Sequence, residues 1–396
     1  MDLLLVADGH YFKTSNNLIY AESVYSYDFY KRYLNVYDHV YAIVRTKKLE
    51  KLKGNEKLCS GEGITFLELP EYKGPLEYAE KYILLRKYIK KYVSYGDCAI
   101  FRLPGATANL VSKMYLKTKR PFAIEVVVDP WENFAPKSIN NPLRPVIRIN
   151  WTLFLKRMCK KANGVSYVTE HYLQNLYPNK AMKNINGYFQ SYYSSVELPD
   201  ESFGKPKIYD NKDKFVISHV SNSYTGYGKG HIPLMNAVKV LRDKGINVSI
   251  EFVGDGPLLQ EFELYAINNG LKDFVHFNGR VADSNVVREI IKNSDLFVFP
   301  TKAEGLPRVL LEAMAEGLPC ISSPTCGIPE ILSNEYLCEY DDYVLLAKKI
   351  EFFLKNPDLM ERESKRNLET SKKYAKSILT RRRNEFYKKL IDKGIQ

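Results

Sequence analysis

Short apolar runs punctuate the chain at intervals that leave room for one amphipathic helix between each pair. Residues 3–8 (LLLVAD) form the first, and others follow near 40–44, 64–69, 98–101, 122–128 and 164–168. Helical spacing recurs between them, at 17–34, 76–93, 107–116 and 143–161. Strands buried on both faces read as continuous apolar stretches, and their alternation with helices predicts a doubly wound parallel sheet. Residues 196–214 are polar, unpatterned and interrupted by Pro and Gly, which predicts a linker. The same grammar then restarts with strands at 215–219, 248–253, 275–278, 296–299 and 320–322, and helices beginning at His231 and Asp283. The fold class expected is α/β, with two Rossmann-like domains and no internal sequence repeat.

The most informative stretch is 294–332. It predicts a buried strand, a polar loop carrying Glu304, a helix opened by Pro307 and closed by Gly317, and a further strand after Pro319. Ligands of open parallel sheets gather outside the carboxyl ends of the strands, where the next helix presents unpaired amides. Glu304, Gly305, Leu306 and Pro307 stand at that place. Glu312 lies more than one turn into the helix, so the two carboxylates do not form one dyad. They are either separate acceptors for hydroxyls or ordinary surface residues, whereas the amides of Gly305 and Leu306 suit a phosphate oxygen.

Other strand ends carry further candidates. The loop SNSYTGYGKG before His231 offers flexible backbone and one cation, Lys229. Gly9 ends the first strand where a glycine lets backbone approach a phosphate, or simply makes a tight turn. His10 beside it either orients a hydroxyl or is structural. Arg102 and Asp129, at the ends of their strands, take crevice positions, or else bridge two loops as a pair.

Composition narrows the partners. Hydrophobic content of 45% and charged content of 26% describe a globular protein. The longest apolar runs fall short of a membrane span, and the opening residues do not make a signal peptide, so a cytoplasmic location is expected. Six scattered cysteines and six histidines form no metal-ligand spacing. The net charge is +12, and residues 1–200 hold most of it, with 29 Lys and Arg against 19 Asp and Glu. Nucleic-acid motifs are missing. A membrane surface fits better, because in 76–93 and 143–161 basic residues interleave with large apolar ones, although a plain amphipathic helix has the same look.

Glu304-x7-Glu312, with Gly317-Leu-Pro and Gly327-Ile-Pro-Glu330, resembles the donor-site signature of family-4 retaining glycosyltransferases. The resemblance implies the GT-B fold, two Rossmann-like domains facing a central cleft. It implies an acceptor-binding domain over 1–200, a nucleotide-sugar domain over 206–375, and a last helix, about 379–396, packing back on the first domain. By the same resemblance Glu312 accepts ribose hydroxyls, and Glu304 with the following amides holds the sugar and diphosphate. Lys229 neutralises the leaving diphosphate, and Arg280 and Val281 border the base. An arginine usual upstream of that lysine is absent here, Asn222 or Ser223 standing in its place. Asp129-Pro130-Trp131 is similar to a string in polysaccharide-assembling members, but the histidine usual near the reacting carbon is replaced by Arg102 or Asp129. The implied activity is metal-independent sugar transfer, without a cofactor, from a nucleotide sugar (UDP-sugar before GDP-sugar) to a glycan or lipid-linked acceptor in bacterial surface polysaccharide assembly. An epimerase or phosphorylase of the same fold, or a non-catalytic binding module, is the alternative.

Overall fold

A computed structural model describes the chain except residues 23, 24, 50, 51, 53–55, 137–140, 194–196, 211, 222, 223, 282, 303 and 396. It divides into two compact units, Met1–Tyr193 with Thr380–Gln396, and Ser194–Leu379.

Unit 1 is built on strands β1 (Asp2–Val6), β2 (Tyr11–Lys13), β3 (Ile19–Ala21), β4 (His39–Lys48), β5 (Lys57–Leu58), β6 (Ile64–Pro70), β7 (Cys98–Leu103), β8 (Phe122–Val126), β9 (Gly164–Tyr167) and β10 (Phe189–Tyr192). Seven of them lie parallel in the order β6-β4-β1-β7-β8-β9-β10, and β2, β3 and β5 extend the far end of β4. The chain winds outward from β1 to β6, then returns to β7 on the other side of β1, which makes the sheet doubly wound. One face buries Leu4, Val6, Phe101 and Ile124 against the helices Gly74–Tyr92, Ala106–Tyr115 and Arg144–Lys161.

Residues 17–34 do not form the single helix their spacing predicts. Asn17 takes a left-handed conformation (φ 63°) at the turn between β2 and β3, and among the described residues of the stretch only Tyr27–Lys31 is α-helical. The spacing reflects an aromatic cluster instead. Tyr25 packs edge-on against Phe29 with ring centroids 4.8 Å apart, and Tyr30 against Phe66 at 5.1 Å. Such contacts reward aromatic residues in either conformation.

Unit 2 contains β11 (Phe215–Val220), β12 (Val248–Val253), β13 (Val275–Phe277), β14 (Leu296–Phe299) and β15 (Cys320–Ser322). All are parallel, in the order β13-β12-β11-β14-β15. The sheet buries Ile250, Phe252 and Val298 together with Leu234 and Val238 of the helix His231–Asp243. The stretch read as a linker is part of this unit from Leu198 onward. Leu198 bridges to Ala375, the Lys207 amide donates to Ser364 Oγ at 2.8 Å, and Tyr209 is buried. Polar composition concealed this because the anchoring is through backbone amides. Residues 196 and 211 of that stretch lie outside the described residues.

The helix Lys376–Ile395 passes from one unit into the other, its residues from Thr380 belonging to unit 1. There Tyr387 stacks on Tyr33 with ring centroids 5.0 Å apart, and Phe386 meets Phe189 at 5.0 Å.

Candidate active site

In unit 2 the strand order reverses between β11 and β14, and it is at such a switch point that open parallel sheets bind their ligands. The loop after β11 carries Lys229 and the loop after β14 carries Glu304. Their side chains form an ion pair at this place. Backbone contacts fix both loops: the Lys302 amide donates to the Gly228 carbonyl at 2.9 Å, and Thr301 Oγ1 to the same oxygen at 3.3 Å. Gly230 has φ 87°, and a Cβ there would come within 2.0 Å of the Pro300 carbonyl oxygen, so glycine alone fits. A third loop joins from β15, where the Gly327 amide donates to the Gly305 carbonyl at 2.9 Å.

The helix Arg308–Ala315 starts beside the pair. Pro307 is its N-cap rather than its first residue, and provides no side-chain cap. Among the described residues the amides of Gly305 and Leu306 donate to no backbone carbonyl. An uncapped helix start preceded by amides without a carbonyl partner favours an anion. Glu312, on the following turn, accepts from Arg308 Nε at 2.7 Å and keeps its side chain about one-third exposed.

Two histidines lie beneath the Lys229 loop. His219 on β11 and His231 at the helix start are fully buried, with ring centroids 4.8 Å apart, and His231 stacks on Phe262 at 4.6 Å. Burial, reinforced by the charge of Lys229, lowers the His219 pKa to about 4 and that of His231 to about 2. Both rings are therefore neutral near pH 7, and they support the loop without adding charge to it. The sequence reading passed over them; a histidine inside the apolar run FVISHV was the available signal.

Arg280 and Val281 follow β13 on a loop tied to β12 by the Gly254 amide, which donates to the Gly279 carbonyl at 2.9 Å. Asn222 and Ser223 lie outside the described residues.

Unit 1 places its candidates differently. Arg102 lies inside β7, not at an open strand end, and it pairs with Glu125 of β8 rather than with Asp129. Glu125 is also within 3.9 Å of Arg32 Nη2 and accepts from Tyr193 Oη at 3.1 Å and Tyr387 Oη at 2.9 Å. Burial alone would raise the Glu125 pKa, but Arg102, Arg32 and the Tyr387 hydroxyl outweigh it and hold the carboxyl below its ordinary value. This buried network commits Arg102 to the sheet. Its missed partner was visible only as one carboxylate within the apolar run FAIEV.

Gly9 is required by packing, since a Cβ there would meet the Tyr11 and Tyr25 rings at 2.9 Å. Anion binding at the nearby helix start is already met by Asp8, which accepts from the amides of Thr107 at 3.2 Å and Ala108 at 3.0 Å. His10 is largely exposed, with Nδ1 3.0 Å from Glu71 Oε1. Asp129 caps a short helix by accepting from the Trp131 amide at 2.8 Å, and takes hydrogen bonds from Tyr177 and Tyr172 as well. It also lines a cavity of about 510 Å³.

Residues 200–370 match the family model described as glycosyl transferases group 1. Protein CapJ of Staphylococcus aureus is 26% identical over 373 residues, covering 93% of this chain and 91% of that protein. Two solved structures align over nearly the whole length of both chains. One is the lipopolysaccharide outer core galactosyltransferase WaaB, with TM-score 0.64, 12% identity, and 98% and 99% coverage. The other is Anabaena HepE in complex with UDP-glucose, with TM-score 0.61, 13% identity, and 99% and 100% coverage. The fold is thus that of GT-B glycosyltransferases. The match to the group 1 glycosyl transferase model falls within unit 2, and the loops that carry Lys229 and Glu304 lie inside the matched residues.

Proposed function

We propose that the protein is a family-4 retaining glycosyltransferase. It would move a sugar from a nucleotide donor onto a glycan or lipid-linked acceptor in surface polysaccharide assembly, at the inner face of the plasma membrane. The observation that carries this reading is the Lys229–Glu304 pair beside the uncapped helix start at the unit 2 switch point. Breaking the anomeric C–O bond leaves negative charge on the terminal phosphate. A cation and amides already aimed at that charge are the largest catalytic contribution a protein offers here. A donor diphosphate competes with Glu304 for the Lys229 ammonium and takes the Gly305 and Leu306 amides, and the displaced carboxylate then accepts from the sugar hydroxyls. Glu312 accepts from the ribose hydroxyls, while Arg280 and Val281 border the base. No protein nucleophile is assigned. The departing phosphate takes the acceptor proton on the face it leaves, which retains the anomeric configuration without a metal.

UDP-sugars are favoured as donors by the HepE complex with UDP-glucose. A surface-glycan acceptor is favoured by the likeness to WaaB, a lipopolysaccharide core galactosyltransferase. Unit 1 would supply the acceptor side through His10 and Asp129, and Arg102 is assigned to the buried network instead. The test is a thermal-shift screen of nucleotide sugars, followed by acceptor assays with chelator present. A donor at 100 times its Kd stabilises the folded state by about 2.7 kcal/mol. The expected result is a raised Tm with UDP-sugars and chelator-resistant product of unchanged anomeric configuration. A screen in which every nucleotide sugar leaves Tm unmoved refutes the reading.

A further inference from the structure

Three neighbouring strands of unit 1 bring their residues to one place. β4 lies between β1 and β6, pairing Ile43 with Val6 and Arg45 with Leu69, so Arg45 stands level with the chain leaving β1 and with the end of β6. His10 follows β1 and Glu71 follows β6, at the carboxyl ends where open parallel sheets hold their ligands. The two side chains meet there, His10 Nδ1 lying 3.0 Å from Glu71 Oε1.

A pair of this kind adds little to folding and is seldom held in one geometry. This one is held. The Arg45 side chain, only 11% exposed, donates from Nη1 to the Tyr72 carbonyl at 3.0 Å and from Nη2 to the Gly9 carbonyl at 3.5 Å, and lies 3.6 Å from the Asp8 carboxylate. One buried cation thus fastens the chain just before His10 and just after Glu71. Its guanidinium rests on the Tyr72 ring at 4.3 Å, and Lys81 Nζ donates to the Glu71 carbonyl at 2.5 Å. The Glu71 side chain is 17% exposed and its Oε2 is buried, which leaves Oε1 to the imidazole.

This contact fixes a proton. A carboxylate only accepts, so in the neutral imidazole the proton sits on Nδ1 and the lone pair on Nε2. A carboxylate behind the ring also makes the outer nitrogen a better acceptor. The ring is 58% exposed, and so offers solvent one hydrogen-bond acceptor at a defined position. Such a group matches a neutral hydroxyl and has no proton to give a carboxylate or phosphate. We propose that Glu71 is a positioning residue for the acceptor: it holds His10 with Nε2 outward, and Nε2 accepts from a hydroxyl of the saccharide that receives the sugar. The proposal deepens the acceptor side of the transferase reading and rests on it for the acceptor's being a saccharide. His10 recognises this hydroxyl and leaves proton transfer to the departing phosphate.

The test is nuclear magnetic resonance of the full chain with isotope-labelled histidine ring nitrogens, the His10 signals being assigned by their loss in His10→Gln. With the ring neutral, wild type should carry the proton on Nδ1. In Glu71→Ala it should move largely to Nε2, the form a free imidazole side chain prefers, and in Glu71→Gln, whose amide oxygen still accepts, it should return to Nδ1. Methyl glycosides of glucose, galactose and N-acetylglucosamine should shift the wild-type Nε2 signal, and acetate should not. With a UDP-sugar and any of these glycosides that is glycosylated, Glu71→Ala should raise the acceptor KM by about two- to tenfold, the worth of one hydrogen bond, with the loss in KM rather than in kcat. The donor's thermal shift should match wild type. A wild-type proton on Nε2, or an unchanged proton position in Glu71→Ala, overturns the positioning. A ring that no glycoside shifts, or that acetate shifts as strongly, overturns the hydroxyl site. A Glu71→Ala loss confined to kcat, or accompanied by loss of the donor's thermal shift, marks a structural role and overturns the proposal too. The ring spectra need no donor, so failure here is distinguishable from failure of the transferase reading, which shows as a flat donor screen.

Discussion

Replacing Lys229 with methionine separates what the ion pair contributes to folding from what it contributes to chemistry. The side chains of Lys229 and Glu304 are 33% and 25% exposed, so solvent screens their attraction strongly. Partly exposed pairs of this kind are worth about 0.2–1 kcal/mol of stability. For a unit of this size that is a Tm change of roughly 2–4 °C at most. A preorganised charge aimed at developing negative charge is worth far more, about 2.7–4 kcal/mol, or 10² to 10³ in kcat. Lys229→Met should therefore melt within a few degrees of wild type, bind donor more weakly and turn over at least a hundredfold more slowly. Release of nucleoside diphosphate from a UDP-sugar, measured alongside a thermal melt, reads both quantities. Turnover within a few-fold of wild type would refute the placement of Lys229 at the leaving group, whatever happened to Tm.

Gly230→Ala forces a side chain into left-handed backbone, which costs roughly 1–2 kcal/mol, and pushes against the Pro300 carbonyl 2.0 Å away. Urea unfolding should show at least that loss, and the displaced Lys229 loop should lower kcat; a variant unchanged in both would contradict the loop geometry. His219 has its pKa lowered from 6.5 to about 4, so below pH 6.5 the unfolded chain takes up a proton that the folded chain refuses. Stability should thus fall as pH drops from about 6.5 towards 4, by on the order of 3 kcal/mol for this ring, and His231, lowered to about 2, adds a similar loss over the same range; His219→Phe should roughly halve that slope, and an unchanged slope would count against a neutral buried ring. Glu125→Gln leaves Arg102 and Arg32 buried without their carboxylate, a change of about 3–5 kcal/mol, which calorimetry should detect as a large drop in the melting of unit 1.

The parts of this architecture that were legible in the sequence are those set by local pattern. Strands β12, β14 and β15 end where their apolar runs end, because a parallel strand covered on both faces tolerates few polar residues. The loop around Glu304 was legible because Pro307 and Gly317 bracket the helix after it. Sheet register was not legible. Arg102 faces Glu125 because β7 and β8 place these two residues opposite one another, a pairing that neither strand states alone. The part played by Asp129 was half visible. An Asp followed by Pro at a helix start is an N-cap signal, and the carboxylate is used in that way. The hairpin at Asn17 was hidden by aromatic residues that happened to recur at helical spacing.

The central claim is that unit 2 holds a sugar nucleotide at its switch point, with Glu312 accepting from the ribose. Isothermal titration of wild type and Glu312→Ala with the same UDP-sugar tests it most directly. Because Glu312 is partly exposed and its Arg308 contact is one helical turn away, the substitution should leave the fold intact. Losing a charge-assisted hydrogen bond pair should weaken binding by about 1.5–3 kcal/mol, or roughly tenfold to a hundredfold. Equal affinity in the two proteins would contradict the claim.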